Sequence, residues 1–339
     1  MCEPLRVAVV GAGHLGRHHA RIYAALPQAQ LVAVADVDAG RGRAVADATG
    51  ARYTADCHDL IGHVDAVSIA VPTEGHLAVA SPFIMHGIPV LIEKPLARSV
   101  AEADQLLALA DAHGALIQVG HVERFNPAFI AAKKHVSNPL YIHCERIGPF
   151  TFRSLDIGVV LDLMIHDLDI LLDLVQAPVE DVQAAGVPVL TAHEDIANAR
   201  ITFADGTVAS LTASRVATQA LRRASIFQPD SYIALDYGQR TAHIHRKRPG
   251  APDPAGIDPR TLDDAKAFVF DQLISVDDVP TEPHDALEQE LQAFLHCVAT
   301  GSAPVCSGRD ARQALALAER ILESIHHHLQ RHAHAPKPS

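Results

Sequence analysis

The feature that most constrains this chain is Gly11-Ala12-Gly13-His14-Leu15-Gly16, set between an apolar run over residues 5–10 and a helical pattern reaching about residue 26. Glycine-rich turns are common, but here a strand precedes the motif and a helix follows it. In that context Gly11 allows the tight turn, Gly13 lets a pyrophosphate approach the backbone, and Gly16 lets helix and strand pack closely. The helix N-terminus adds free N–H groups and the positive end of its dipole. Asp36 lies 20 residues beyond Gly16, at the end of a second apolar run. A carboxylate there accepts hydrogen bonds from ribose hydroxyls and repels a 2′-phosphate. Val37, not an arginine, follows it, which favours NAD over NADP.

Further strands are predicted at 66–71, 88–92 and 116–119, with helical patterns at 40–49, 75–86 and 100–113. Strands alternating with helices of this length predict a doubly wound parallel sheet. Pro89-Val90-Leu91-Ile92 has no polar member, so both its faces should be covered. It stops at Glu93-Lys94-Pro95, at the carboxyl edge of the sheet, where ligands bind. Lys94 is therefore a candidate for chemistry, with Glu93 as its neighbour. Val71-Pro72-Thr73 ends another strand at the same edge. His76 opens the next helix and reads equally as a cleft residue or a solvent-facing one.

A length of 339 residues suggests roughly two domains at about 150 residues each. The net charge of −12 argues against nucleic acid or an anionic membrane as the main partner. Cys2, Cys57, Cys144, Cys297 and Cys306 are scattered without metal-type spacing and read as reduced thiols of a cytoplasmic protein. Met1-Cys2-Glu3-Pro4 lacks the basic start of a secretory leader, and no apolar run approaches the roughly 18 residues of a membrane span.

In the second half, residues 159–173 form a helical pattern that is apolar on most sides. On a regular helix Asp162, His166, Asp169 and Asp173 fall within about 60° of one another. Such a polar line is costly unless it faces partners or a ligand. A histidine with a carboxylate one turn away can titrate near neutrality. A core histidine satisfied by Asp162 or Asp169 is the plainer alternative. No third ligand stands at a matching spacing, so no metal is expected. The histidines at 326–328, 332 and 334 read as a solvated helix end. Residues 201–204 and 207–210 flank Asp205-Gly206, a two-residue hairpin signal. More strands are predicted at 232–237 and 242–245, a loop at 249–259, and helices at 285–298 and 309–329.

The glycine motif, Asp36, Val71-Pro72-Thr73 and Glu93-Lys94-Pro95 together resemble the Gfo/Idh/MocA oxidoreductase family. The resemblance implies an α/β architecture: an NAD-binding Rossmann domain over 1–121, then a substrate-binding and oligomerisation domain over 122–339. The second domain is expected to carry a large, open, mostly antiparallel sheet, and the C-terminal helices have scope to pack back on the first. It implies cofactor contacts at Gly11, Gly13, His14, Leu15, Gly16, Asp36, Val71, Pro72, Thr73, His76, Glu93 and Lys94. It puts Lys94 beside the nicotinamide and the reacting hydroxyl. Asp162-x-x-x-His166 matches the family's second motif, whose histidine is the acid/base.

Residues 121–127, Gly148-Pro149-Phe150, 160–167, 194–200 and 211–215 resemble, more narrowly, the branch that oxidises UDP-N-acetylglucosamine at C3. There the ketone passes to an aminotransferase that makes a 3-amino sugar for lipid A. This implies substrate contacts at Lys94, Arg124, Asn126, Arg153, Asp162, His166 and Arg215. A diphosphate needs local positive charge, for which Arg124, Arg146, Arg153, Arg215, Arg222 and Arg223 are candidates. The family also implies a homodimer or homotetramer. An inositol-type polyol dehydrogenase and a non-catalytic NAD-binding regulator stay open. Lys94 with Asp162 and His166 argues against the regulator.

Overall fold

A computed structural model describes residues 3–152 and 157–333. Cys2, Arg153 and His334 lie outside the described residues. The chain divides into two compact units. Unit one takes the residues up to Phe125 together with His284–Glu319; unit two takes Asn126–Pro283 and the chain from Arg320 onward.

Unit one carries six strands, β1 (Leu5–Val10), β2 (Ala29–Ala35), β3 (Arg52–Thr54), β4 (Ala66–Ile69), β5 (Val90–Glu93) and β6 (Ile117–Gly120). They form one sheet in the order β3-β2-β1-β4-β5-β6. Every pairing is parallel. The helices α1 (Gly16–Ala25), α2 (Ala39–Thr49), α3 (His76–Met85) and α4 (Val100–His113) alternate with the strands. All four residues of β5 are buried, as its unbroken apolar run requires. The register pairs Val10 with both Ala35 and Ile69, and Ile69 with Ile92. One carboxyl edge therefore lines up Gly11, Asp36, Ala70 and Glu93.

Unit two carries eight strands, β7 (Tyr141–Ile147), β8 (Val179–Val187), β9 (Ile196–Phe203), β10 (Val208–Ser214), β11 (Leu221–Phe227), β12 (Ser231–Asp236), β13 (Thr241–Lys247) and β14 (Ile274–Asp278). Their order is β14-β13-β12-β11-β7-β10-β9-β8, with β7 and β10 parallel and all other pairs antiparallel. Strict alternation buries one face, including Ile142, Cys144, Leu211, Ile226, Ile233 and Ile244. The helices α5 (Pro127–Lys133), α6 (Ile165–Leu174) and the short α7 (Ala265–Phe268) also belong to this unit.

Two further helices, α8 (Ala286–Thr300) and α9 (Gly308–Ala333), close the chain. Leu291, Phe294 and Leu295 of α8 share one core with Ala20, Ile22 and Tyr23 of α1 and Val7, Val9 and Leu91 of the parallel sheet. Each fully buried leucine or phenylalanine contributes about 1.5–3 kcal/mol, so α8 is an integral layer of unit one. α9 is long enough to give its first half to unit one and its second to unit two.

Two local expectations change. The β9–β10 hairpin closes over three residues, Ala204-Asp205-Gly206, rather than two. Phe203 N–H donates to Thr207 O and Gly206 takes φ +86°. A glycine at the third loop position supplies the positive φ such a loop needs. The helix over 159–173 is not regular: Val160–Met164 is a π-helical turn that leads into α6. The wider turn shifts the phase between Asp162 and the α-helical residues after it.

Candidate active site

The glycine loop is tight where it meets protein and open where it would meet a ligand. A Cβ on Gly11 would lie 2.6 Å from Ala70 O, and one on Gly16 would lie 1.7 Å from Gly11 O. A Cβ on Gly13 would meet nothing within 4 Å. α1 starts at Leu15 with no side-chain cap and no acid in its first turn. An uncapped helix start beside an open glycine suits a phosphate, so these residues fit a dinucleotide. His14 contributes its ring to Arg17, with Nδ1 3.1 Å from Nη2. Gly11 packs on the turn containing Val71, Pro72 and Thr73, since its Cβ would also meet Val71 N at 2.9 Å.

Asp36 is buried. Its Oδ2 accepts from Ala12 N–H at 2.6 Å and its Oδ1 from Asp38 N–H at 2.8 Å. Arg41 also forks onto it, Nε to Oδ2 at 3.0 Å and Nη2 to Oδ1 at 2.8 Å. Burial pushes the carboxyl up, but the Arg41 and backbone hydrogen bonds outweigh it and hold Asp36 below its ordinary range. Arg41 lies five positions on, in the first turn of α2, and the residue directly after Asp36 gives no sign of it.

Glu93 ends β5 in a nearly closed space. Gly120 pairs with it across the sheet, and a Cβ there would lie 2.9 Å from Glu93 Oε2. His19 Nε2, from α1, is 3.0 Å from Glu93 Oε1. His19 Nδ1 lies 2.7 Å from Ser68 Oγ on β4. Burial raises the Glu93 carboxyl, but His19, and then the nearby Lys94 charge, pull it below its ordinary value. Glu93 is therefore an anion at neutral pH beside half-buried Lys94.

His76 is a tie, not a solvent-facing residue. Its ring is buried, with Nδ1 3.0 Å from Pro95 O and Nε2 3.0 Å from Val71 O. Desolvation lowers its pKa despite those carbonyls. It joins the loop after β4 to the loop after β5, directly past Lys94.

In unit two, Asp162 and His166 are half-buried on successive turns, Asp162 within the π turn and His166 in α6. The other two acids of the expected line behave differently: Asp169 is buried and Asp173 pairs with Lys133 at 2.6 Å. The start of this helix is clamped from one loop. Glu194 Oε1 accepts from Val160 N–H at 3.1 Å, and a Cβ on Gly158 would collide with that carboxylate at 2.0 Å. Next to it, Asp195 Oδ2 accepts from the N–H groups of Val189, Leu190 and Thr191. Arg215 Nε binds Asp195 Oδ1 at 2.7 Å while Nη1 donates to Ile157 O at 3.0 Å, just before the helix. Asp167, one residue past His166, takes a buried fork from Arg146 at 2.8 and 2.9 Å.

The arginines expected from their charge to face a diphosphate thus divide. Arg146 and Arg215 sit in buried ion pairs, where a carboxylate already matches their charge. They hold α6 and its leading turn in place. Arg223 pairs with Asp236 at 2.8 Å. Arg124 is buried in unit one, with Nη1 3.4 Å from Val305 O. Arg222 is exposed, on the sheet face that carries its register partner Arg146. Asn126 caps α5 through Ala128 N–H and donates to Tyr237 O.

Residues 5–121 match a family model described as oxidoreductase family, NAD-binding Rossmann fold, and residues 136–229 match the GFO/IDH/MocA C-terminal domain. The chain is 38% identical over 329 residues to UDP-N-acetylglucosamine 3-dehydrogenase of Acidithiobacillus ferrooxidans, covering 96% of this chain and 99% of that one. The chain belongs to the Gfo/Idh/MocA oxidoreductase family. A solved structure of the Acidithiobacillus enzyme is similar to this fold with a TM-score of 0.87 at 37% identity, covering 98% of this chain and all (100%) of that one. Another relative, scyllo-inositol 2-dehydrogenase (NAD(+)) of Bacillus subtilis, is 28% identical over 331 residues, 92% of this chain and 91% of that one. As a Gfo/Idh/MocA member the chain is an NAD-binding oxidoreductase, and the open glycine loop with Asp36 at the same sheet edge fits that cofactor.

Proposed function

We propose that this chain oxidises a secondary hydroxyl of a sugar, most specifically C3 of UDP-N-acetylglucosamine, to the ketone with NAD. The observation that carries the reading is Lys94, placed beside the Glu93 anion at the carboxyl edge that also holds the glycine loop and Asp36. The likeness at 38% identity to an enzyme of that name supports the choice of sugar.

In this reading Lys94 stabilises the alkoxide as it develops, by charge and a hydrogen bond. His166 takes the hydroxyl proton, and Asp162 orients the imidazole or a neighbouring hydroxyl. The cofactor supplies the hydride acceptor. Gly11, Gly13, Gly16, with the helix start at His14 and Leu15, hold the pyrophosphate. Arg222, exposed in unit two, is the cation proposed to serve the diphosphate. The product is a ketone, so an aminotransferase that converts it to a 3-amino sugar for lipid A is the proposed next step.

Absorbance in the NADH band after mixing protein, NAD and UDP-N-acetylglucosamine tests the reading. Growth of the band supports it; silence there with growth on a polyol panel replaces it. That second reading, an inositol-type dehydrogenase, is favoured by the 28% identity to the Bacillus enzyme.

The outer face of the eight-stranded sheet supports a homodimer or homotetramer. Tyr141, Phe227, Tyr232 and His245 stand opposite one another across four strands and stack with ring centroids 5.8, 4.6 and 4.9 Å apart. A contiguous row of half-buried rings with Phe227 exposed among them suits a protein partner. Among the described residues Cys57, Cys144 and Cys297 are free thiols, which supports the cytoplasm, and no helix is long and apolar enough to cross a membrane.

A further inference from the structure

The carboxylate of Asp36 has no acceptor position left to give. A carboxylate offers roughly four lone-pair sites, and four donors occupy them: Ala12 N–H and Arg41 Nε on Oδ2, Asp38 N–H and Arg41 Nη2 on Oδ1. Its side chain is 2% exposed. The four donors are not equivalent. Ala12 belongs to the glycine loop and Asp38 caps α2, so their N–H groups are fixed by the backbone. Arg41 reaches in from the first turn of α2 with a side chain 48% exposed. Its donors can leave; the backbone's cannot.

A ribose diol needs two acceptor positions on this carboxylate, and the two that can be vacated are those Arg41 fills. We propose that Arg41 is a specificity residue of the adenosine site: a latch that competes with the ribose hydroxyls of NAD and, once displaced, offers a guanidinium to a 2′-phosphate. The latch weakens NAD binding, because each NAD must break a bidentate charge-assisted pair before it forms its own hydrogen bonds. It also softens the rejection of NADP. Asp36 alone would repel the 2′-phosphate, but a displaced Arg41 remains tethered one helical turn away, near Asp38, whose Oδ2 is 3.8 Å from Nη1. Selectivity is thus set by the Asp36–Arg41 pair and not by Asp36 with Val37. The inference does not depend on which sugar is oxidised.

Direct calorimetric titration of the full chain with NAD and, separately, NADP tests this without turnover. Arg41→Met keeps the aliphatic stem and removes the fork. Its Kd for NAD is expected to fall severalfold and its Kd for NADP to rise, so that the ratio of the two widens about tenfold or more. Arg41→Lys keeps the charge without the fork. It is expected to match the Met variant toward NAD while retaining NADP binding. Melting temperatures of the free proteins check that both variants fold. Unchanged values for both nucleotides in both variants would overturn the latch. So would parallel weakening toward NAD and NADP, which marks Arg41 as a brace for Asp36.

Discussion

His19 Nε2 and Glu93 Oε1 meet at 3.0 Å inside unit one, joining the helix that follows the glycine loop to the strand that ends at Lys94. Both side chains are almost wholly removed from water. The pair ties the helix after the glycine loop to the lysine-bearing edge, and Ser68 continues it on the far side of His19.

His19→Leu leaves the Glu93 carboxylate buried without its main partner. Removing one member of a buried pair costs about 3–5 kcal/mol. Urea denaturation should register a loss of that order, and kcat should fall because the anion beside Lys94 is no longer held in place. His19→Gln, which keeps a polar side chain at that position, should lie between. Wild-type stability in the leucine variant would show that the pair contributes nothing.

Lys94→Ala and His166→Ala each test the proposed chemistry. Losing an electrostatic donor to a developing oxyanion lowers kcat by about 10²–10³-fold, and losing a general base by about 10²–10⁴-fold. Steady-state rates should drop by those factors while titration shows NAD still bound by the glycine loop and Asp36. Substantial turnover in either variant removes that residue from the mechanism.

Asp195 predicts a pH dependence of stability. Burial pushes its carboxyl up, but the N–H groups of Leu190 and Thr191, the Arg215 guanidinium and Val189 N–H together hold it far below the ordinary range. The folded pKa is depressed, so the stabilisation is fully present above the unfolded value of about 4 and is lost as pH falls below it. Thermal melts of the wild type should decline over that window. Asp195→Asn should be less stable by about 3–5 kcal/mol at pH 7, with Arg215 left buried and unmatched, and its profile should be flatter in acid. Because Arg215 reaches Ile157 O ahead of the π turn, the variant should also lose activity.

Phe227→Glu places a charge in the centre of the outer aromatic row, where Phe227 is 40% exposed. If that face joins copies of the chain, light scattering should show a shift to monomer at unchanged helix and strand content. An unchanged mass moves the interface elsewhere.

Features that depend on neighbouring residues in the chain are legible in the sequence. Gly11 to Gly16 and the run into Glu93-Lys94 are local: spacing alone places them on a turn and a strand end. The arginines are less legible. Arg146, Arg215 and Arg41 look alike as cations, yet each is bound to a carboxylate that only folding brings to it, from α6, from the loop before β9 and from the end of β2. The π turn at Val160–Met164 is hidden for the same reason. The carboxylate that takes Val160 N–H at its start belongs to Glu194, 34 residues away.

By itself the sequence determined the parallel sheet, the dinucleotide loop and the candidacy of Lys94, because each follows from backbone periodicity and from the space a missing side chain leaves. Tertiary structure alone decided which charges are spent and which are available. A guanidinium is a ligand or a strut according to the carboxylate it meets, and burial multiplies the value of that meeting by removing the water that would otherwise screen it.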